Sequence, residues 1–269
     1  MIPAAFEYHR AQSVDDAIDA LGRDEDARLL AGGHSLIPAM KLRIARPSLL
    51  VDVGRLDELR YVRDDGDRIA IGALTRHAQL VRDSVLESAC PVVARTAELV
   101  GDPQVRHRGT IGGSVANADP ASDLPTVLLA LDAEFVARGP DGERAIASSS
   151  FFTGPFATAL GPREVLTEIR VPRVERGVYL KHSRRAQDWA TVGVAAAVVD
   201  GVTQLAFAGM GGTALRARGV EEALASGADA GRAAARSGEG TEPPSDIVGG
   251  SEYRAHLAQV YVRRALDQL

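Results

Sequence analysis

Gly109-Thr110-Ile111-Gly112-Gly113-Ser114-Val115-Ala116-Asn117-Ala118-Asp119-Pro120-Ala121-Ser122-Asp123 holds almost no bulky side chain, yet an apolar helical run from Leu124 to Leu131 follows it directly. Glycine has no Cβ, so its backbone adopts positive φ at little cost and lets N–H groups come close to a ligand. Hydroxyls, one amide and two carboxylates give the stretch donors and acceptors but little packing surface. It reads as a loop that wraps a large polar ligand. Phosphates fit best, because turn amides and helix N-termini favour them. Asp119 and Asp123 in such a loop order the turn or accept hydrogen bonds from ligand hydroxyls and ring N–H groups, rather than forming an acid–base pair.

A second glycine cluster lies upstream. Ala27 to Leu30 reads as a buried strand, Ala31-Gly32-Gly33-His34-Ser35 as a turn, and Leu36-Ile37-Pro38-Ala39-Met40-Lys41-Leu42 as a helix. Ser35 is the expected cap, and Pro38 is tolerated in a first turn, where N–H groups have no intrahelical acceptor. Strand, glycine turn and helix N-terminus together make an anion site. The cluster has neither the Gly-x-x-x-x-Gly-Lys of a P-loop nor the Gly-x-Gly-x-x-Gly of a Rossmann turn.

Around these turns, Phe6–His9 and Leu49–Val53 alternate or run as strands, and Ser13 with Asp16 resembles a capping box for a helix burying Ala17, Ile18 and Leu21. Asp64-Asp65-Gly66 and Asp141-Gly142 signal hairpins. Thr75 is expected to cap a helix reaching about Leu86, and Pro91 to open another ending at Gly101. Glu164–Pro172 reads as the strand that closes a first region. From Gly177, Val178–His182, Val192–Val199 and Thr203–Ala208 predict a three-stranded antiparallel sheet. Two helices follow, about Leu215–Ala225 and Glu252–Leu266, the latter burying Tyr253, Leu257, Val260 and Tyr261. The Ala/Gly/Ser/Pro-rich segment Ser226–Ser245 between them is expected to be mobile in its middle. The boundaries read as 1–174, with subdomains of about 1–56 and 57–174, and 175–269.

Composition narrows the function. A net charge of −5 and 4% aromatic residues argue against an electrostatic nucleic-acid binder. The single cysteine, Cys90, excludes an internal disulfide and any cysteine-ligated iron–sulfur cluster within this chain. No basic and apolar leader opens the sequence, and the longest plain apolar run, Val192–Val199, is too short for a membrane span. A cytoplasmic location is expected. The six histidines show no metal-ligand spacing, and no Gly-x-Ser-x-Gly elbow is present. Gly209-Met210-Gly211-Gly212-Thr213-Ala214 matches a dinucleotide fingerprint variant, but outside a βαβ unit it reads as a strand-to-helix turn. Arg106-His107-Arg108 and Arg184-Arg185 read as solvated surface or interface.

The two glycine motifs in this order and spacing resemble the FAD-binding medium subunits of the molybdenum hydroxylases, most of all the carbon monoxide dehydrogenase branch. The similarity extends from Ile2-Pro3 and Phe6-Glu7-Tyr8-His9-Arg10, through Asn117-Ala118-Asp119-Pro120, Asp123, Glu164-Val165-Leu166 and Tyr179-Leu180-Lys181, to Ser251-Glu252-Tyr253-Arg254. The resemblance implies an α+β chain: a two-subdomain FAD-binding unit of the vanillyl-alcohol-oxidase-like kind, then a C-terminal sheet-and-helix domain. It implies that Ala31, Gly32, Gly33, His34 and Ser35, with Thr110, Ile111, Gly112, Gly113 and Ser114, hold the FAD pyrophosphate, and that Leu36 also binds the cofactor. Asn117 lies nearby, and Asp123, Leu166, Lys181 and Trp189 approach the flavin ring. It also implies partners: a small subunit with [2Fe–2S] centres and a large molybdenum-cofactor subunit, in a dimer of heterotrimers. Substrate would be oxidised at molybdenum, and this subunit would take the electrons to a quinone or another acceptor. Ser114 departs from the asparagine common after the glycine pair, and Trp189 from the tyrosine of the close branch.

A medium subunit of a xanthine or N-heterocycle dehydrogenase stays open within the family, and two other classes stay open at this point: a free-standing flavin oxidoreductase with its own substrate pocket, and a flavin-free scaffold. The short C-terminal domain with no evident acid or base argues against the first. The two intact glycine turns argue against the second.

Overall fold

The computed structural model describes residues 2–269. Three main sheets succeed one another along the chain. The first joins β1 (Glu7–Arg10), β2 (Arg28–Leu30) and β3 (Leu49–Asp52) in the parallel order β1-β3-β2, with α1 (Val14–Leu21) and α2 (Leu36–Lys41) as crossovers. Ser13 Oγ accepts the Asp16 amide at 3.1 Å, the first half of the expected box. Asp16 turns instead to the Gln12 amide (2.8 Å) and the His9 ring (2.9 Å), so its short side chain closes the turn one residue earlier. Ala17, Ile18 and Leu21 do face inward, onto Val51 and Val53.

The second sheet has the order β4-β5-β10-β6-β7, from β4 (Val62–Asp64), β5 (Arg68–Gly72), β6 (Glu134–Gly139), β7 (Gly142–Ala147) and β10 (Val165–Pro172). Between β5 and β6 run α3 (His77–Leu80), α4 (Ser84–Ala89), α5 (Pro91–Glu98), α6 (Pro103–Arg108), α7 (Ile111–Asn117) and α8 (Asp123–Ala130). Then α9 (Ser148–Phe151) and a small hairpin of β8 (Phe152–Gly154) and β9 (Ala157–Thr158) lead to β10.

Three expectations change here. Thr75 caps nothing, because its hydroxyl is held by the Tyr61 backbone. The helix predicted from it is two short ones, the second capped by Asp83 on the amides of Val85 and Leu86. The stretch from Gly109 to Asp123 is mostly helical: Thr110 caps α7 by accepting the Gly113 amide at 3.1 Å, and Ala118 ends it at φ 49°. Two adjacent glycines are tolerated in so short a helix because its first turn is hydrogen-bonded to the carbonyls of Ala73 and Thr75, just after β5. Cys90 is fully buried where α5 begins, and burial pushes its thiol up to about 12, so it is no nucleophile.

The third sheet is antiparallel, with the order β11 (Gly177–His182), β12 (Val192–Val199), β13 (Val202–Ala208), β14 (Leu215–Arg216). Asp200 (φ 49°) and Gly201 (φ 79°) form the tight turn expected between β12 and β13. The sheet has four strands, not three: Leu215–Arg216, expected in a helix, pairs with Phe207 and Ala206. Gly209–Ala214 is therefore a strand-to-strand turn, and α10 begins only at Arg218 and ends at Ala225. The segment expected to be mobile carries α11 (Ala230–Ala234), capped by Asp229, with Ala233 and Ala234 buried.

The last helix, α12 (Ser251–Leu266), buries Arg254, Leu257, Ala258, Val262 and Ala265, whereas Tyr253 is exposed and Val260 and Tyr261 are half-buried. The inward stripe is shifted because the Arg254 guanidinium is drawn in. It donates to the carbonyls of Thr191, Gly209 and Gly249 and forms a fork on Asp246 at 2.9 Å for both bonds. Among the described residues no helix is long and apolar enough to cross a membrane.

Candidate cofactor cleft

A cleft of about 890 Å³ runs between the first two sheets and reaches β11, a size that suits an extended organic cofactor. Its two ends differ in chemistry, one built from backbone and the other from side chains.

At the backbone end the two glycine turns touch. A Cβ on Gly32 would fall on the Arg108 carbonyl oxygen, so only glycine lets the first turn lie against the second. Gly33 follows at φ 78°, the left-handed region, and turns the chain into α2. Ser35 does not cap that helix with its hydroxyl; its backbone is already helical. The second turn is zipped to the end of β5. The amides of Ile111 and Gly112 donate to the carbonyls of Thr75 (3.0 Å) and Ala73 (2.8 Å), and the His77 amide to Gly109 (3.1 Å).

Accounting for donors separates the turns. The amides of Ile111, Gly112, Gly113 and Ser114 all have acceptors inside the protein. Among the described residues, those of Gly32, Gly33, His34, Ser35 and Leu36 have none. The first turn thus offers the row of free N–H groups that an anion needs. The second offers a side-chain-free wall.

At the other end stand Asp123, from the start of α8, and Lys181, from β11. Lys181 Nζ lies 2.8 Å from Asp123 Oδ2 and also donates to the Leu99 carbonyl at 3.2 Å. The side chains are 9% and 5% exposed, so the pair is buried. Burial pushes the Asp123 carboxyl above its ordinary value, while Lys181 and the Tyr179 hydroxyl hold it back. Leu166 reaches the cleft just before a bulge in β10 that breaks the register with β6. Trp189 stands at the rim, 54% exposed, after Gln187 at φ 68°.

Of the residues expected from sequence, all but Ile111 line the cleft. Ile111 is fully buried in the core beneath α7, its helical direction set by the Thr110 cap. Sequence reasoning missed the loop Leu160–Glu164, which forms one wall and is held by Arg144. That guanidinium grips Glu164 at 2.6 and 2.7 Å, and Glu164 accepts the Gly161 amide. The Gly161-Pro162 pair was the available signal. Reasoning also missed His77, which no pattern marked. It is 3% exposed beneath Gly109, its Nδ1 has no partner among the described residues, and burial lowers it to about 4, so the ring is neutral near pH 7.

Residues 4–174 match the family described as the FAD binding domain in molybdopterin dehydrogenase, and residues 178–269 match the CO dehydrogenase flavoprotein C-terminal domain. The chain belongs to the FAD-binding medium subunits of the molybdenum hydroxylases. This medium subunit is 40% identical to the carbon monoxide dehydrogenase medium chain of Hydrogenophaga pseudoflava, over 99% of its own length and 98% of that protein's. It is 37% identical to the glyceraldehyde dehydrogenase medium chain of Sulfolobus acidocaldarius, with both chains covered in full. Its structure superposes on that of carbon monoxide dehydrogenase from H. pseudoflava with a TM-score of 0.95, covering 100% of this chain and 98% of that one. As in the rest of its family, the cofactor is FAD. The cleft fits it: free amides and missing Cβ atoms at one end suit a pyrophosphate, and fixed charge with an aromatic rim at the other suits a polar, flat ring.

Proposed function

We propose that this chain carries electrons from a small iron–sulfur subunit to a quinone or another acceptor, within a molybdenum hydroxylase that oxidises carbon monoxide. The observation that carries this reading is the cleft with free amides in one part and a buried ion pair in another, in a chain whose single cysteine can hold no iron–sulfur cluster; likeness to carbon monoxide dehydrogenase medium chains supports the substrate. FAD supplies one- and two-electron chemistry when bound, and the protein binds it, orients it and sets its electrostatics. In this reading the amides of Gly32 to Leu36 hold the pyrophosphate, with Thr110, Gly112, Gly113 and Ser114 forming the opposite wall and Asn117 beside them. Asp123, Leu166 and Lys181 sit at the ring. We place the functional division near residue 175, with the third sheet closing the ring end through Lys181 and Trp189. A cytoplasmic complex with a small and a large subunit, paired as a dimer of heterotrimers, follows from the same reading.

Co-purification from the host tests it. The chain should bring down an iron–sulfur and a molybdenum subunit, and the complex should oxidise carbon monoxide in a screen that also contains purines, aldehydes and N-heterocycles. Acid precipitation of the isolated chain should release FAD into the supernatant, and that chain alone should oxidise none of these substrates. Flavin retained on the pellet, or substrate turnover by the metal-free chain, would contradict the proposal.

Trp189 has a specific part in it. No apolar stripe surrounds this indole; Asp188 Oδ1 accepts its amide at 2.9 Å and its ring stays half open at the cleft rim. A flat, polarisable face there suits covering one side of a flavin. Trp189→Ala should retain FAD while flavin fluorescence rises and the absorption band moves. Unchanged spectra and reduction potential at full occupancy would leave Trp189 as a surface residue.

A further inference from the structure

Behind the Asp123–Lys181 pair lies a third buried group that never reaches the cleft. Tyr179 precedes Lys181 by two residues on β11, so both side chains leave the same face of the strand. Tyr179 Oη donates to Asp123 Oδ1 at 2.7 Å, while Lys181 takes Oδ2 at 2.8 Å. Each carboxylate oxygen therefore has its own donor. Lys181 and Asp123 line the cleft, and Tyr179, 8% exposed, does not. The neighbouring strand is shaped for this ring. Gly193 pairs with Lys181 across β11 and β12, and a Cβ on it would fall on the Tyr179 hydroxyl and lie 2.9 Å from Cζ. Asp119, before α8, is a like charge near Asp123, and its carboxylate accepts the Ala121 amide at 2.9 Å.

We infer that Tyr179 is a positioning residue for the cofactor's electrostatics: its hydroxyl orients Asp123 and keeps it charged, so that bound FAD faces a balanced pair instead of a lone Lys181 cation. This rests on the reading that Asp123 and Lys181 lie at the ring end. The physical reason is donor count. A buried carboxylate stripped of one of its two donors is costlier to keep ionised, so it takes up a proton more readily. Asp119 nearby pushes the same way. Once Asp123 is neutral, the Lys181 charge is uncompensated and favours the more negative, reduced cofactor. Tyr179 itself stays protonated, since burial and Asp123 raise it well above 10.

The test is a dye-equilibrated redox titration of the full chain loaded with FAD, from pH 5.5 to 9, on wild type, Tyr179→Phe, Asp123→Asn and the double variant. Tyr179→Phe should hold reduced FAD about tenfold more tightly relative to oxidised FAD at the acid end, which for two electrons is a positive shift of ~30 mV. It should converge on wild type at the alkaline end. Asp123→Asn should be shifted positively at every pH, and Tyr179→Phe should add nothing in that background.

A Tyr179→Phe potential that tracks wild type throughout, with Asp123→Asn shifted, would overturn the role of Tyr179 alone. Asp123→Asn at the wild-type potential and full occupancy would instead remove Asp123 from the ring end. Should Tyr179→Phe lose occupancy, a fluorescence titration with FAD reads the same coupling. The ratio of dissociation constants at pH 6 and pH 8 should depart from wild type in Tyr179→Phe, and a ratio equal to wild type would overturn the inference.

Discussion

Valine at Gly33 or Gly113 is expected to abolish FAD binding while far-UV circular dichroism stays close to wild type. At Gly33 the cause is conformational. Its φ of 78° is strained for any β-branched residue, so the turn would re-form and its free amides would no longer converge. At Gly113 the cause is steric. A Cβ there lies 2.7 Å from Thr110 Oγ1 and 4.0 Å from the Ala31 methyl, so the added methyls displace the cap and enter the gap between the two turns. Loss of that cap costs about 1 kcal/mol, which the fold can absorb. Loss of the phosphate contacts should weaken FAD more than about 100-fold, or ~3 kcal/mol.

Gly112→Val is the contrast. A Cβ at Gly112 meets the Ala73 Cβ at 2.5 Å and carbonyl oxygen at 2.6 Å, so this variant should be destabilised whether or not FAD is present. Flavin content measured against circular dichroism separates the cases. Normal flavin stoichiometry in both Gly33→Val and Gly113→Val would remove these turns from the cofactor site.

Lys181→Met should be the most destabilising single change at the ring end. It preserves the stem of the side chain but leaves the buried Asp123 carboxylate without its cation, an imbalance that typically costs about 3–5 kcal/mol. The pH dependence gives the cause away. Burial already raises Asp123 in the folded chain, and removing Lys181 takes away the first of the opposing influences, so the folded value rises further. A carboxyl raised on folding binds its proton more tightly in the native state than in the unfolded one. The variant should therefore be most stable below the unfolded value of about 4 and lose stability as pH rises through the folded value. Denaturant unfolding of apoprotein at pH 4, 6 and 8 measures this. A deficit relative to wild type that is the same at all three pH values would mean that lost packing, not stranded charge, is responsible.

The local code carried much of the architecture. Where a segment's structure depends on its own residues, it was legible: the Asp200-Gly201 turn, the α1 stripe, the long strands β10, β11, β12 and β13, and the first glycine turn. The backbone-lined part of the cleft was legible for the same reason, since missing Cβ atoms leave a mark in the sequence. What tertiary structure decided was everything set by a distant partner.

Thr75 looked like a helix cap, but Tyr61, 14 residues away, claims its hydroxyl. Gly109–Asp123 reads as a loop, but the carbonyls of Ala73 and Thr75, together with Thr110, hold its first turn as a helix and consume the amides of Ile111 to Ser114. Arg254 turned α12 because carbonyls at Thr191, Gly209 and Gly249 converge on it. His77 became part of the cleft only through its bridge to Gly109. The pairing of Asp123 with Tyr179 and Lys181 joins groups 56 and 58 residues apart, and no local pattern couples them. Local backbone preference is written in neighbouring residues. Charge balance and donor accounting are properties of groups that meet only after the chain has folded.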